Sequence, residues 1–147
     1  MIKMNKISIM QLHDLVFLSY EGDSELMDKY HVQKFDLLGA VKSTMDMIHE
    51  MAVKYKLECY KVIYNKIPIG YVVSYEGVLY SFGINIKFRK KTILMAWWEE
   101  LKRTIGWQFV CRLYRNNTRA IEFLKKQQMI EVEVNEKHNF VTLLNSK

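Results

Sequence analysis

Two short stretches of this 147-residue chain gather the side chains best suited to hold an anion: "NIKFRKK", residues 85–91, and "RLYRNNTR", residues 112–119. The first brings Lys87, Arg89, Lys90 and Lys91; the second brings Arg112, Arg115 and Arg119, with Asn117 among them. Each runs into a segment of helical periodicity. Each therefore places cations at a helix N-terminus, where unpaired backbone N–H groups and the helix dipole favour anions. Asn117 stands where an N-cap belongs. Two such starts side by side would form a diphosphate site; the alternative is a pair of solvated basic loops with Asn117 serving only as a cap. The charge distribution points the same way. Residues 1–86 carry nine Lys and Arg against ten Asp and Glu, whereas residues 87–147 carry thirteen against six. A basic C-terminal portion suits a phosphate-bearing partner, either a nucleotide-like cofactor or a nucleic acid, and no recognised nucleic-acid motif favours the second.

The elements that must position these loops can be read from periodicity. "KISIM", residues 6–10, alternates as a short first strand, and "LHDLVFLSYEGDSELMDKY" reads as one or two short helices broken near Gly22. "KFDLLGAVKSTMDMIHEMAVKYK" is helical, with Phe35, Leu38, Val41, Met45, Ile48 and Ala52 at spacings of three and four. A Tyr-, Val- and Ile-rich run then reads as a three-stranded meander over 57–65, 67–75 and 78–86, with turns at Asn65-Lys66 and Glu76-Gly77. Pro68, the single proline, marks a turn or edge position. Leu94, Trp97, Trp98, Leu101 and Ile105 line one face of the next helix, and Gly106 sits where it should end. "QFVCRLY" follows as a buried strand, then the helix after Asn117, then a hairpin of "IEVEV" and "FVTLL". A helical crossover between strands 78–86 and 108–114 suits parallel neighbours. The chain is thus expected to be one α/β domain with a mixed sheet, its ligand beyond the C-terminal ends of those two strands.

Other chemistries find less support. Cys59 and Cys111 lie far apart with no CxxC and no nearby His pair, which argues against a metal site or a disulfide framework and for a reducing, cytoplasmic setting. His13, His31, His49 and His138 are scattered, none spaced to activate a nucleophile. No run approaches the roughly 20 apolar residues of a membrane span, and "MIKMNKISIMQLHD" is too short and polar for a signal peptide.

From about residue 57 to 135 the chain resembles the GNAT superfamily of acyl-CoA-dependent N-acyltransferases. The family's pyrophosphate loop, Arg/Gln-x-x-Gly-x-Gly/Ala, falls on "RKKTIL", residues 89–94. Its later signature, Asn-x-x-Ala-Ile-x-x-Tyr-x-Lys-x-Gly-Phe, falls on "NTRAIEFLKKQQM", where Asn117, Ala120, Ile121 and Lys126 match in register. The departures are specific. Thr92 and Leu94 stand where the family has glycine and a small residue, and glycine there lets phosphate approach the backbone. Leu124 replaces the tyrosine that protonates the departing thiolate in many members, and Gln128-Met129 replaces Gly-Phe.

The resemblance implies a sheet of about seven strands, splayed between strands 4 and 5 to admit the pantetheine arm and flanked by about four helices. Residues 1–56 would form the acceptor side and 57–147 the acyl-CoA-binding core. Acetyl-CoA, or another acyl-CoA, would meet Ile84, Asn85, Ile86, Arg89, Lys90, Lys91, Thr92, Ile93, Leu94, Asn117, Ala120 and Lys126. The family's carboxylate base has no counterpart in "VLYSFGINI". Glu76, in the turn before that strand, and Glu58, on the second strand, are the carboxylates that could reach the site as base, and Tyr80, Ser81 and Tyr114 are the hydroxyls that could replace the missing acid.

Two function classes follow. One is an enzyme passing an acetyl group to a primary amine on a small molecule, a protein lysine or a protein N-terminus. The other is a non-catalytic module with a protein partner or a second copy of itself. The chain's shortness and altered motifs are similar to those of divergent GNAT-like proteins encoded by bacteriophages, some of them built into virions, so the setting would be the host cytoplasm or a virion.

Overall fold

The computed structural model describes residues 1–23 and 36–146. Seven strands form one sheet in the order β1-β2-β3-β4-β5-β7-β6, with β1 at Ile2–Ile7, β2 at Glu58–Tyr64, β3 at Ile67–Tyr75, β4 at Val78–Ile84, β5 at Phe109–Tyr114, β6 at Ile130–Asn135 and β7 at Phe140–Asn145. Among the described residues four α-helices accompany them: α1 (Leu12–Tyr20), α2 (Leu37–Lys54), α3 (Lys91–Ile105) and α4 (Thr118–Lys126). This is the expected mixed sheet with four helices. Phe35 and His31 lie outside the described residues. No helix among the described residues is long and apolar enough to cross a membrane.

The meander follows from its turns. Asn65 and Lys66, and then Glu76 and Gly77, all adopt positive φ, the conformation of two-residue hairpin loops whose twist matches the flanking strands. Pro68 falls near the start of β3, beside a register shift between Val62 and Ile63 where a missing N–H disrupts little. The first strand lies earlier than the alternation in "KISIM" implies. Ile2 and Met4 supply its core-facing side chains. Ser8 ends it: its N–H donates to Gln11 Oε1 at 2.9 Å and its carbonyl accepts from Gln11 N at 3.0 Å, starting a short 3₁₀ turn over Ile9–Gln11.

Two apolar cores sandwich the sheet. On one face α3 and α4 bury Ile93, Trp97, Trp98, Leu101 and Leu124 against strand residues such as Phe109 and Leu143. On the other, Leu12, Leu15 and Val16 of α1 and Val41, Met45 and Ile48 of α2 cover Cys59, Tyr71 and Val73. Leu94 and Ile105, expected on the buried stripe of α3, pack against its rim. Gly106 closes α3 at φ +100°, as its position implied. Gly83 matters for the site: a Cβ there would lie 2.7 Å from the Ser19 Cβ, so its absence lets the end of α1 press directly onto β4.

Candidate functional site

β4 and β5 run parallel but pair only at Val78↔Val110 and Leu79↔Cys111. Beyond those two positions the strands part, and residues 81–84 pair with β3 alone, with Tyr80 at the register shift between β3 and β4. The parting strands open a cavity of about 660 Å³. Its walls come from α2, from β4 residues 78–82, from β5 and from the β6–β7 hairpin, with Asn117 at the start of α4.

Hydroxyls and aromatics dominate this lining. Tyr71 and Ser81 share a hydrogen bond of 2.8 Å between their side-chain oxygens, and Tyr20 and Thr44 share another of 2.8 Å. Tyr80 donates to the Met47 carbonyl at 3.4 Å, tying β4 to α2. Burial pushes the Tyr80 phenol above its ordinary pKa, and Tyr75, Glu50 and Tyr114 nearby add to the shift. Tyr71 is raised as well, first by burial. Both therefore stay protonated at neutral pH and can donate protons.

Of the residues expected to move a proton, the structure brings together Tyr80, Ser81 and Tyr114 on the cavity wall. Glu76 is not among them. It occupies the exposed hairpin turn at φ +40°, outside the lining. Glu58 lies on β2, accepting from Tyr60 Oη at 3.0 Å with Lys6 at 3.8 Å. No Asp or Glu lines the cavity among the described residues. Burial pushes the Cys111 thiol up to about 12 and Cys59 to about 11, so neither supplies a thiolate.

The expected diphosphate loop has an internal and an external side. Arg89 is turned inward. Its Nε donates to the Ile84 carbonyl at 2.8 Å, its Nη2 to the Ser19 carbonyl at 3.4 Å, and its Nη1 to the carboxylate of Asp23, which is fully buried. Asn85 is also buried. Its Nδ2 donates to the carbonyls of Leu18 at 2.8 Å and Glu21 at 3.4 Å, its Oδ1 accepts from Lys87 N at 3.0 Å, and its own N–H donates to Ile69 O at 2.8 Å. Both side chains are thus occupied in fastening the end of α1 to the end of β4. Ile84 is buried and Ile86 opens a 3₁₀ turn over Ile86–Phe88.

The external side is the first turn of α3. Lys90 occupies the N-cap and its side chain makes no cap hydrogen bond, as a group with no acceptor must. Leu94 N is the first to find a helical partner, Lys90 O at 2.9 Å. The N–H groups of Lys91, Thr92 and Ile93 therefore have no intrahelical acceptor. Lys87, Lys90, Lys91 and Thr92 are exposed here, while Ile93 is buried and Leu94 packs against the core. In α4, Asn117 Oδ1 accepts from Ala120 N at 3.4 Å, Ala120 packs against the core, Lys126 is exposed in the last turn, and Leu124 is fully buried.

Sequence reasoning passed over Tyr20, Thr44, Tyr71, Tyr75 and Phe140, and it left His138 unassigned; all line the cavity. The parity of β3 held one signal, because Tyr71 and Tyr75 must share a face with Val73. The others arrive through α1, α2 and the β6–β7 hairpin, whose approach no local pattern encodes.

No protein-family model matches the chain, and no curated protein matches its sequence. Solved structures do match over nearly the whole chain. The PaiA N-acetyltransferase of Thermoplasma acidophilum, in complex with coenzyme A, superposes with a TM-score of 0.69 at 12% identity, covering 100% of this chain and 99% of that one. A GNAT-family acetyltransferase of Streptococcus agalactiae gives 0.69 at 15% identity over 99% and 95%. A Salmonella typhimurium acetyltransferase that modifies the N-terminal serine of a 50S ribosomal subunit protein gives 0.65 at 10% over 99% and 95%. The chain has the GNAT acetyltransferase fold, including the split between β4 and β5 that the resemblance implied.

Proposed function

We propose that this protein binds an acyl-CoA, with acetyl-CoA the preferred form, and transfers its acyl group to a primary amine by direct attack. The observation that carries this reading is the parting of β4 from β5 beside the uncapped first turn of α3. The open strand edge of residues 80–84 offers backbone partners to the amide groups of a pantetheine arm. The N–H groups of Lys91, Thr92 and Ile93, with Lys87, Lys90 and Lys91 around them, offer a diphosphate what the fold leaves unpaired. Leu94 packs inward, so its bulk does not oppose this reading. Asn117, Ala120 and Lys126 on α4 would border the far side of the groove.

In the transfer, the neutral amine attacks the thioester carbonyl, the C–N bond forms and the C–S bond breaks. The amine's surplus proton leaves to water and the thiolate takes one from a hydroxyl. Tyr80 is the first choice for that donor, with Ser81 and Tyr114 beside it. With no carboxylate in the described lining, the amine must shed its ammonium proton before it attacks. Activity should therefore climb with pH toward the amine's own pKa, about 10 for an alkyl amine. It should fall only where Tyr80, raised above its usual value by burial, begins to ionise. Tyr80→Phe should lower kcat by about 10²-fold and abolish that alkaline fall.

The direct test of the cofactor is thermal unfolding with acetyl-CoA, coenzyme A and pantetheine. Ligand at about 100 times Kd stabilises by about 2.7 kcal/mol. A saturable shift that requires the diphosphate supports the reading, and no shift at millimolar acetyl-CoA defeats it.

A non-catalytic interaction role is the second reading. What favours it is Leu124, which buries itself in the core where many GNAT enzymes carry their tyrosine acid. Stabilisation by acetyl-CoA with no thiol released in the presence of any amine would select it.

A further inference from the structure

Arg112 lies on the cavity-lining face of β5, and it is the only Lys, Arg, Asp or Glu lining the cavity among the described residues. Its guanidinium carbon sits 4.2 Å from the ring centroid of Phe140, its diagonal neighbour on β7. The guanidinium thus lies within cation–π range of the ring, on a side chain that is 62% exposed. Its nearest carboxylate, Glu133 on β6, stays 3.8 Å from Nη2, beyond hydrogen-bond reach, and Glu133 instead accepts from Thr142 Oγ1 at 3.2 Å. Arg112 is thus ion-paired with Glu133 but makes no hydrogen bond to a described residue, so its five donors remain available beside an aromatic ring.

Across the cavity stands an aromatic ladder. Tyr55 stacks on Tyr75 at 4.3 Å and 20°, and Tyr75 meets Tyr80 at 6.1 Å. Arg112 is close enough to Tyr75 to oppose the rise in its phenol pKa. The cavity wall thus carries Arg112 beside Phe140 together with Tyr75 and Tyr80, whose rings are tilted 55° to one another.

We infer that Arg112 is the specificity-determining residue for the acceptor, and that the acceptor is a small amine carrying an anionic group, carboxylate or phosphate. The inference rests on the acyl-transfer reading for the identity of the second substrate. The physical reason is electrostatic. A planar guanidinium with donors to spare recognises carboxylate and phosphate in bidentate geometry. A polycationic amine would meet that positive charge with no carboxylate in the described lining, and Glu133, paired with Arg112 at 3.8 Å from outside the lining, offsets it only in part. The basic character of the chain as a whole, net charge +6, adds to the bias.

The experiment uses matched amines: phenylalanine against phenethylamine for the carboxylate, phosphoethanolamine against ethanolamine for the phosphate, and spermidine as the polycation. Transfer is followed by release of the coenzyme A thiol. Binding of the same amines is followed separately by thermal unfolding, with and without coenzyme A. The expected result is about tenfold or more preference in kcat/KM for an anionic amine over its neutral partner, reduced to near parity in Arg112→Gln. Phe140→Leu, which keeps the charge and removes the stack, should cut the preference about threefold. Whichever matched pair shows the preference identifies the anion. Equal use of the paired amines, preference for spermidine, or an unchanged preference in Arg112→Gln overturns the inference. The two readings fail separately. If coenzyme A does not stabilise the protein, the acyl-transfer reading falls, while stabilisation by an anionic amine that Arg112→Gln abolishes still establishes the anion subsite.

Discussion

The helices that follow β4 and β5 begin at the same end of the sheet, because those two strands are parallel. Their first turns are nevertheless built in opposite ways. At α4 a side chain fills the role of a missing helical partner, with Asn117 Oδ1 accepting from Ala120 N. At α3 a lysine sits at the N-cap and supplies no acceptor. The conspicuous basic residue there, Arg89, points away from the helix start and into a brace with Asp23, Ser19 and Ile84. The α4 start has one of its N–H groups capped from within the chain. The α3 start is held rigidly from below and left incomplete above. The lesson is that the cationic residue nearest a helix start can be engaged by the fold itself; at α3 it is the first-turn backbone that keeps donors without a helical partner.

The brace should be the most sensitive part of this arrangement. Arg89→Ala would leave Asp23 as a fully buried carboxylate without its guanidinium. Breaking a buried ion pair from one side typically costs about 3–5 kcal/mol. The midpoint of urea unfolding should drop accordingly, and acetyl-CoA stabilisation should vanish with the order of the loop. Arg89→Ala with unchanged stability would mean that the brace carries no load, and the contrast between the two helix starts would lose its structural half.

Much of this arrangement was legible in the sequence, and the rest fails to be for a definite reason. The apolar stripe of α3, the hairpin turns at Asn65-Lys66 and Glu76-Gly77, and the cap at Asn117 are local features, set by residues within one or two turns of each other. The role of Arg89 is not local. Its partners on and after α1 lie up to 70 residues earlier, so nothing near "RKK" signals that Arg89 pairs with Asp23. The side-chain partners of Asn85, Leu18 and Glu21, likewise come from α1 and the turn after it and have no local signature. The cavity was legible at Tyr80, Ser81 and Tyr114, which sit on strands whose pairing could be foreseen. It was illegible at Tyr20, Thr44 and His138, which arrive through tertiary packing.

A backbone change at the α3 start isolates its functional half. Lys91 is the first helical residue, and Lys90 before it is already extended at φ −90° and ψ 147°, the conformation a following proline requires. Proline at this position is well tolerated in helices because its missing N–H bonds nothing within the helix. Lys91→Pro should therefore leave the unfolding midpoint nearly unchanged while removing one N–H and one charge from the proposed diphosphate cradle. Loss of a hydrogen bond to a charged group, about 1.5–3 kcal/mol, predicts acetyl-CoA binding weaker by roughly ten- to hundredfold. Lys91→Ala, which removes the charge and keeps the N–H, separates the two contributions. Full affinity in Lys91→Pro would place the diphosphate elsewhere.

The matching change at α4 should show the reverse pattern, with a smaller effect. Asn117→Ala removes the acceptor for Ala120 N, and losing an N-cap costs about 0.5–2 kcal/mol. The 3.4 Å separation puts this cap at the weak end of that range. Stability should fall slightly while acetyl-CoA binding changes by less than about threefold, because the Asn117 carbonyl oxygen is already engaged with the helix. Asn117→Asp sharpens the point. A carboxylate caps at least as well and should restore stability, but it places a negative charge beside the groove. If acetyl-CoA affinity then drops while stability holds, Asn117 borders the cofactor as the sequence match implied, and it does so through its position and charge rather than through a bond to the ligand. If Asn117→Ala instead weakens binding as much as Lys91→Pro does, the two helix starts act alike toward the cofactor, and the division between a capped start and an open one does not extend to function.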